Sequence, residues 1–94
     1  MTIGIYYSDY LQLDKILNAQ ELESEKNGQI AHDEMLFIVT HQVYELWFKQ
    51  ILFELAAVIN VFEDPVIEDK KMGQVIHHLS RIKSIQRVLI QQID

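Results

Sequence analysis

Cysteine is absent from the 94 residues, and glycine and proline are scarce, with three copies and one copy. A chain without cysteine has no disulfide framework and no thiolate metal site. Hydrophobic residues make up 49% of the sequence, which is far above the content of disordered chains. No stretch alternates apolar and polar residues as a strand does. These features predict an ordered, all-α protein, and the lack of cysteine fits a reducing cytoplasm.

Long apolar runs are also missing. No run approaches the roughly 18 residues of a membrane span, and no basic start precedes an apolar stretch of the kind found in secretory signals. We therefore expect no membrane partner and a cytoplasmic location. A single domain of this length buries only somewhat over about 60% of its unfolded-chain surface. Its core would be thin, and we expect help from a partner chain.

Acidic and basic residues are unevenly distributed. Residues 1–69 hold 13 of the 14 acids and three of the eight bases, a net charge of −10, whereas residues 70–94 hold five bases and one acid, a net charge of +4. The two parts should attract each other. The C-terminal bases are spread along the chain with no aromatic residues among them, so nucleic acid is not an expected partner.

The stretch from His32 to Leu52 is apolar on nearly every side of a helix. One face follows steps of three, four and seven residues, and His41 lies on it with Phe37, Tyr44, Phe48, Ile51 and Leu55. A second apolar set covers most of the remaining circumference, leaving Glu45, Lys49 and Glu54 as the side chains that prefer water. A helix of this kind belongs inside a larger structure. We expect it to present more apolar surface than the rest of the chain can cover.

Shorter signals place the other elements. Leu13, Ile16 and Leu17 predict a short amphipathic helix, and Lys26 to Gly28 mark a turn. A third helix is expected from Pro65, or after a short loop near Asp69. Its apolar positions keep a seven-residue rhythm at Met72, Val75, Leu79, Ile82, Leu89 and Ile93.

The expected architecture is a short N-terminal helix followed by two long antiparallel helices. It comprises an N-terminal arm and short helix in residues 1–31, a central helix in 32–62 and a third helix in 65–94. Trp47 and Phe48 are expected to pack in the core, because an aromatic stripe at helical spacing usually does.

From the residues alone, His41 has three interpretations. A histidine on an apolar helix is most often a core residue with ordinary hydrogen-bond partners. A metal site with Glu45, one turn later, lacks a third ligand, because the adjacent His77 and His78 diverge by about 100° on a helix. The third interpretation is a pocket histidine that accepts a hydrogen bond or a proton, since imidazole can be neutral near pH 7.

Two long motifs narrow this choice. YSDYLQLDKILNAQ at residues 7–20 and HDEMLFIVTHQVYELWFKQ at residues 32–50 together closely resemble the N-terminal part of tryptophan 2,3-dioxygenase, the haem enzyme that oxidatively opens the indole ring of L-tryptophan to N-formylkynurenine. The resemblance covers nearly the whole chain. Because the family's subunit is several times longer, the resemblance implies that this chain corresponds to the first part of a larger helical haem dioxygenase fold.

The resemblance implies roles for five residues. His41 matches the distal histidine that accepts a hydrogen bond from the indole N–H, and Phe37 matches the aromatic residue that packs on the indole. Tyr7, Tyr10 and Leu11 match a YxxYL motif that reaches into the active site of a neighbouring subunit and closes off the indole. His32, His77 and His78 match no functional position of the family and are expected to be surface or structural residues.

The resemblance also implies partners and missing parts. L-Tryptophan and dioxygen would be the substrates, haem b the iron cofactor and a homotetramer the assembly. The family's proximal haem ligand, its carboxylate-binding arginine and its Gly-rich substrate loop all come after Asp94, and Ile93 and Asp94 depart from the aromatic and serine usual there. We therefore expect no metal ligand in this chain, no haem bound by it alone and no activity. The alternative is a stand-alone helical module that self-associates without catalysis.

Overall fold

The computed structural model describes residues 6–93, apart from the side chain of Ile93. Residues 1–5 of the expected N-terminal arm and Asp94 of the expected third helix lie outside this range. The described part contains five helices and no strand, which confirms the all-α prediction. No helix among these residues is long and apolar enough to cross a membrane. The helices are α1 (Tyr7–Tyr10), α2 (Leu13–Leu17), α3 (Glu23–Lys26), α4 (Glu34–Phe62) and α5 (Asp69–Ile93).

The chain divides into two compact units, Met1–Thr40 and His41–Asp94. The first unit holds α1 to α3 and the opening turns of α4, and the second holds the rest of α4 with α5. In the first unit, α2 covers the predicted short helix, while α1 and α3 are additional. Gln12 adopts φ 53° between α1 and α2, and this left-handed residue separates the two turns of helix.

The predicted turn at Lys26 to Gly28 ends α3. Gly28 has φ 81° and donates its N–H to the carbonyl of Glu25 at 3.1 Å, and Gln29 donates to the carbonyl of Ser24 at 3.1 Å. These two bonds form a Schellman motif, in which glycine supplies the left-handed conformation that other residues adopt only with strain. The turn prediction is confirmed.

The start of α3 is capped by a side chain from α4. Leu22, at the N-cap position, provides no side-chain hydrogen bond. Instead the Glu34 carboxylate accepts the N–H groups of Glu23 at 3.1 Å and Ser24 at 3.0 Å. The Ser24 hydroxyl also donates to Glu34 and accepts the N–H of Ala31 at 2.9 Å. These bonds hold α3 and the following loop against the first turn of α4 and satisfy helix-end donors.

In the second unit, α4 and α5 run antiparallel, as predicted. Glu54 bonds to His78 and Arg81, whereas Asp64, later in the chain, pairs with the earlier Lys71. Asp64 also accepts the N–H of Val66 at 3.0 Å, so its side chain bends the chain after α4. The third helix begins at Asp69, which confirms the expected start after a short loop near Asp69 and not the alternative start at Pro65.

The core of this unit is small. Its buried apolar side chains are Val58, Val75, Ile82 and Ile85. Leu79, expected on the apolar face of α5, is exposed, and His78 lies half-buried beside the core instead. Val75 and Ile82 are buried as expected, but the inward stripe continues through positions 78 and 85, so the prediction for Leu79 is wrong by one residue.

Candidate functional site

Phe37 and His41 both lie on α4, one helical turn apart. Residues at this spacing share one face of a helix. Phe37 is 63% exposed, and His41 is also exposed. In this chain His41 is therefore not a core residue, although its type and apolar neighbours favoured that interpretation. Phe37 exposes an apolar ring in the first unit, and His41 exposes an imidazole in the second.

The imidazole of His41 has an aromatic neighbour. The ring of Tyr44 meets it edge-on, with ring centres 6.2 Å apart and planes at 81°. This edge-on arrangement is one that aromatic rings prefer. Glu45, the other member of the conceivable metal pair, is exposed. Within residues 6–93 no group of three or more histidine, aspartate or glutamate side chains could hold a metal ion.

Tyr7, Tyr10 and Leu11 form the second predicted group. The two tyrosines are in α1, Leu11 follows directly, and all three are exposed. Leu11 donates its N–H to the carbonyl of Tyr7 at 3.0 Å. This single turn places Tyr7 on the same side of the backbone as Tyr10 and Leu11, three and four residues later. The first unit thus presents two phenol rings and a leucine as one apolar group.

The aromatic residues after His41 are less buried than predicted. Phe48 is exposed, so its assignment to the core is wrong for this chain. Trp47 is half-buried and lines an open groove of about 400 Å³ with Val43, Leu46 and Gln50. The surface of α4 therefore exceeds what α5 covers, in agreement with the apolar pattern of its sequence.

The most buried polar side chain belongs to a residue that was expected to face water. Glu54, on α4, is only 2% exposed. Its carboxylate accepts hydrogen bonds from Gln50 Nε2 at 3.0 Å, from Arg81 Nη1 at 3.0 Å and from His78 Nδ1. The hydrogen bond from His78, followed by that from Arg81, lowers the pKa of Glu54 below its ordinary value. The carboxylate is therefore ionised and fully paired although it is buried.

The same cluster gives His77 and His78 structural roles. Arg81 bridges Glu54 and His77, because its Nη2 donates to His77 Nε2 at 2.8 Å. The sequence does contain a signal for this cluster, because His77 and His78 are adjacent and Arg81 follows three residues later. Their partner could not be read from α5 alone, because Glu54 precedes His78 by 24 residues.

Comparison with known proteins gives matches to one family over nearly the whole chain. The family model described as tryptophan 2,3-dioxygenase matches residues 1–94. Proteins named tryptophan 2,3-dioxygenase from Alteromonas mediterranea and Xenopus tropicalis are 60% identical over 88 residues and 56% identical over 92 residues. These alignments cover 94% and 97% of this chain but 24% and 23% of the relatives. A third, from Bdellovibrio bacteriovorus, is 50% identical over 90 residues, 96% of this chain and 25% of the relative. The chain thus spans about a quarter of the length of these relatives.

Proposed function

Because the chain belongs to the tryptophan 2,3-dioxygenase family, we propose that it supplies the distal wall of a tryptophan pocket in a haem dioxygenase. The complete protein would insert both atoms of dioxygen across the C2–C3 bond of the indole and release N-formylkynurenine. This segment would position the indole and exclude water from it. Positioning and water exclusion are contributions that a protein wall makes without taking part in bond formation.

The observation that carries the proposal is the exposure of Phe37 and His41 at a one-turn spacing on α4. An aromatic ring offers an apolar surface against which an indole can pack. A neutral imidazole offers one nitrogen as a hydrogen-bond acceptor. The indole N–H is a donor only, so the two side chains match the two recognisable features of the substrate ring.

The donor set of this segment fits one side of a haem pocket and not the iron-binding side. A haem needs an axial donor, and the resemblance assigns that ligand to a residue beyond Asp94. When bound, the haem would supply the activation of dioxygen. In this segment His41 would hold the indole N–H and Phe37 would contact the indole ring.

Tyr7, Tyr10 and Leu11 would close the pocket of a neighbouring subunit in a homotetramer. Their exposure as one apolar group on α1 supports this role. Exposed apolar side chains next to each other are typical of surfaces that another molecule covers. The pocket would then be complete only in the assembled protein.

The proposal is tested by His41→Ala in the full-length protein, with His32→Ala as the matched control. His32 is also exposed and lies just before α4. A hydrogen-bond acceptor contributes about tenfold to kcat/KM, whereas a general base contributes about 100-fold or more. We expect His41→Ala to slow N-formylkynurenine formation by at least about tenfold and His32→Ala to leave it unchanged. Unchanged turnover and tryptophan affinity in His41→Ala would reject the role of His41.

A second candidate function is self-association without catalysis. It is favoured by the large exposed apolar side chains along α4, which include Leu46, Leu52, Phe53, Ile59 and Phe62. The purified 94-residue chain is expected to form no N-formylkynurenine under either function, so its oligomeric state separates them. A stable oligomer in sedimentation favours the self-association module, whereas a monomer favours a segment that needs the rest of a longer protein.

A further inference from the structure

The buried carboxylate of Glu54 has no role in the proposed tryptophan pocket. It lies one turn before the core residue Val58, and its partners come from α5. Burying an ion pair seldom stabilises a protein more than well-packed apolar side chains of similar volume. A buried charge is better explained by specificity, because it permits only those arrangements in which its partners are present.

The apolar side chains between α4 and α5 do not by themselves fix how far one helix is shifted along the other. Val75 and Ile82, both buried, are seven residues apart on α5. On α4 the half-buried Ile51 precedes the buried Val58 by seven residues. Sliding α5 along α4 by seven residues would therefore place apolar side chains opposite apolar side chains again.

The connection between the helices does not prevent such a slide in one direction. Seven helical residues correspond to about 10 Å. The loop of residues 63–68 joins the end of α4 at Phe62 to the start of α5 at Asp69, and six extended residues reach about 20 Å. The start of α5 could thus move one heptad beyond the end of α4 without unwinding either helix.

Glu54 distinguishes the two alignments. In the observed alignment it meets His78 and Arg81. After the slide, the positions opposite Glu54 would be seven residues later, at Ile85 and Val88. Neither side chain can donate a hydrogen bond, so the buried carboxylate would keep only Gln50 of its own helix and lose both partners from α5. Burying a charge with its charged partners removed is strongly unfavourable.

We propose that Glu54, together with His78 and Arg81, sets the alignment of α4 and α5. The cluster acts as a buried polar contact that fits the observed position of α5 and does not fit the position one heptad later, where Ile85 and Val88 would lie opposite Glu54. This role is independent of the proposed tryptophan pocket, because the alignment of the two helices can be measured without haem or tryptophan. It does fix which residues of α5 lie level with each turn of α4.

Disulfide cross-linking tests the proposal, because the chain contains no cysteine of its own. The pair Val58→Cys with Val75→Cys reports the observed alignment, and the pair Val58→Cys with Ile82→Cys reports the alignment shifted by one heptad. A disulfide forms when the Cα atoms lie within about 7 Å. The measured quantity is the rate of intramolecular cross-linking under mild oxidation, in dilute protein whose helicity is checked by circular dichroism.

With Glu54 present, the first pair should cross-link faster than the second by on the order of a hundredfold. In Glu54→Leu this ratio should fall by about tenfold or more. If Glu54→Leu loses its helicity, the triple variant Glu54→Leu, His78→Leu and Arg81→Leu decides the question, because it leaves no unpaired charge. The matched control, Glu45→Leu with Lys83→Leu, removes exposed charges from the same helices and should keep the full ratio. A triple variant that also keeps the full ratio would overturn the proposal.

Discussion

Arg81 reaches across from α5 to Glu54 on α4, and its Nη1 lies 3.0 Å from the Glu54 Oε1 atom. His78 occupies the other carboxylate oxygen, Oε2. A carboxylate held by two cationic or polar donors from a neighbouring helix is stabilised in its ionised form. The pairing of α4 with α5 therefore depends on the charge of Glu54.

Acid should weaken this pairing. The folded-state pKa of Glu54 is lowered, first by His78 and then by Arg81. A lowered pKa stabilises the folded chain above the ordinary pKa, and this stabilisation is lost as the pH falls through the folded value. We expect Glu54→Gln to reduce the difference between the free energies of unfolding at about pH 7 and about pH 3, measured by urea denaturation. Glu45→Gln, an exposed change on the same helix, should keep that difference. Equal pH dependence in Glu54→Gln and the unmodified chain would contradict this account.

The cap of α3 makes a second prediction. Ser24 donates to Glu34 and accepts the N–H of Ala31, and its hydrogen bonds lower the pKa of Glu34. Ser24→Ala should raise the pKa of Glu34 toward its ordinary value and speed amide exchange at Ala31 by about tenfold. NMR titration and hydrogen exchange measure both changes. Ser84→Ala is the control, because the Ser84 hydroxyl donates to the Ser80 carbonyl within its own helix. Unchanged exchange at Ala31 in Ser24→Ala would show that the cap does not hold this loop.

The position of the apolar stripe on α5 leads to a third prediction, about which side chains stabilise the fold. Ile85 is 6% exposed, whereas Ile76 on the same helix is 66% exposed. Ile85→Ala should lower the free energy of unfolding by about 2 kcal/mol, because it leaves a cavity in the core. Ile76→Ala and Leu79→Ala should each change it by less than about 0.5 kcal/mol. A larger loss in Leu79→Ala than in Ile85→Ala would support the rhythm expected from the sequence.

Replacing each of two glycines by alanine should change the stability of the chain in opposite directions. Gly28 has φ +81°, and Gly73 lies within α5, yet a Cβ atom would meet no other atom within 4 Å at either position. Gly28→Ala should therefore destabilise the chain by about 1 kcal/mol through backbone strain alone. Gly73→Ala should stabilise it by up to about 1 kcal/mol, because alanine favours the helix. Thermal unfolding followed by circular dichroism measures both. Stabilisation by Gly28→Ala would rule out the left-handed turn after α3.

The sequence predicted the long helices well and the details of their packing poorly. The apolar repeat located α4 to within a few residues of its observed bounds. The seven-residue rhythm of α5 misplaced Leu79. The pattern of α4 misplaced Glu54, because α4 is apolar on most sides and its pattern does not show which side α5 covers. The burial of Glu54 depends on His78 and Arg81, which are far away in sequence. Local periodicity contains no information about such partners.

For the candidate site, the residues alone predicted less than the resemblance to a family did. Residue types and spacing alone favoured a core role for His41, whereas the resemblance to the family implied a role in a pocket. The structure exposes His41 and Phe37 on α4, and the chain spans about a quarter of the length of the relatives that it matches. The roles of His41, Phe37, Tyr7, Tyr10 and Leu11 thus stay predictions.

The most direct test of the central proposal compares two substrates in two full-length proteins. 1-Methyltryptophan lacks the indole N–H and therefore cannot donate to His41. If His41 accepts that hydrogen bond, methylation should lower kcat/KM by about tenfold more in the unmodified protein than in His41→Ala, since the variant has no acceptor to lose. The ratio of the four kcat/KM values gives this coupling directly and cancels steric effects of the methyl group that the two proteins share. A coupling of about ten supports the proposal, and equal sensitivity to methylation in both proteins would contradict it.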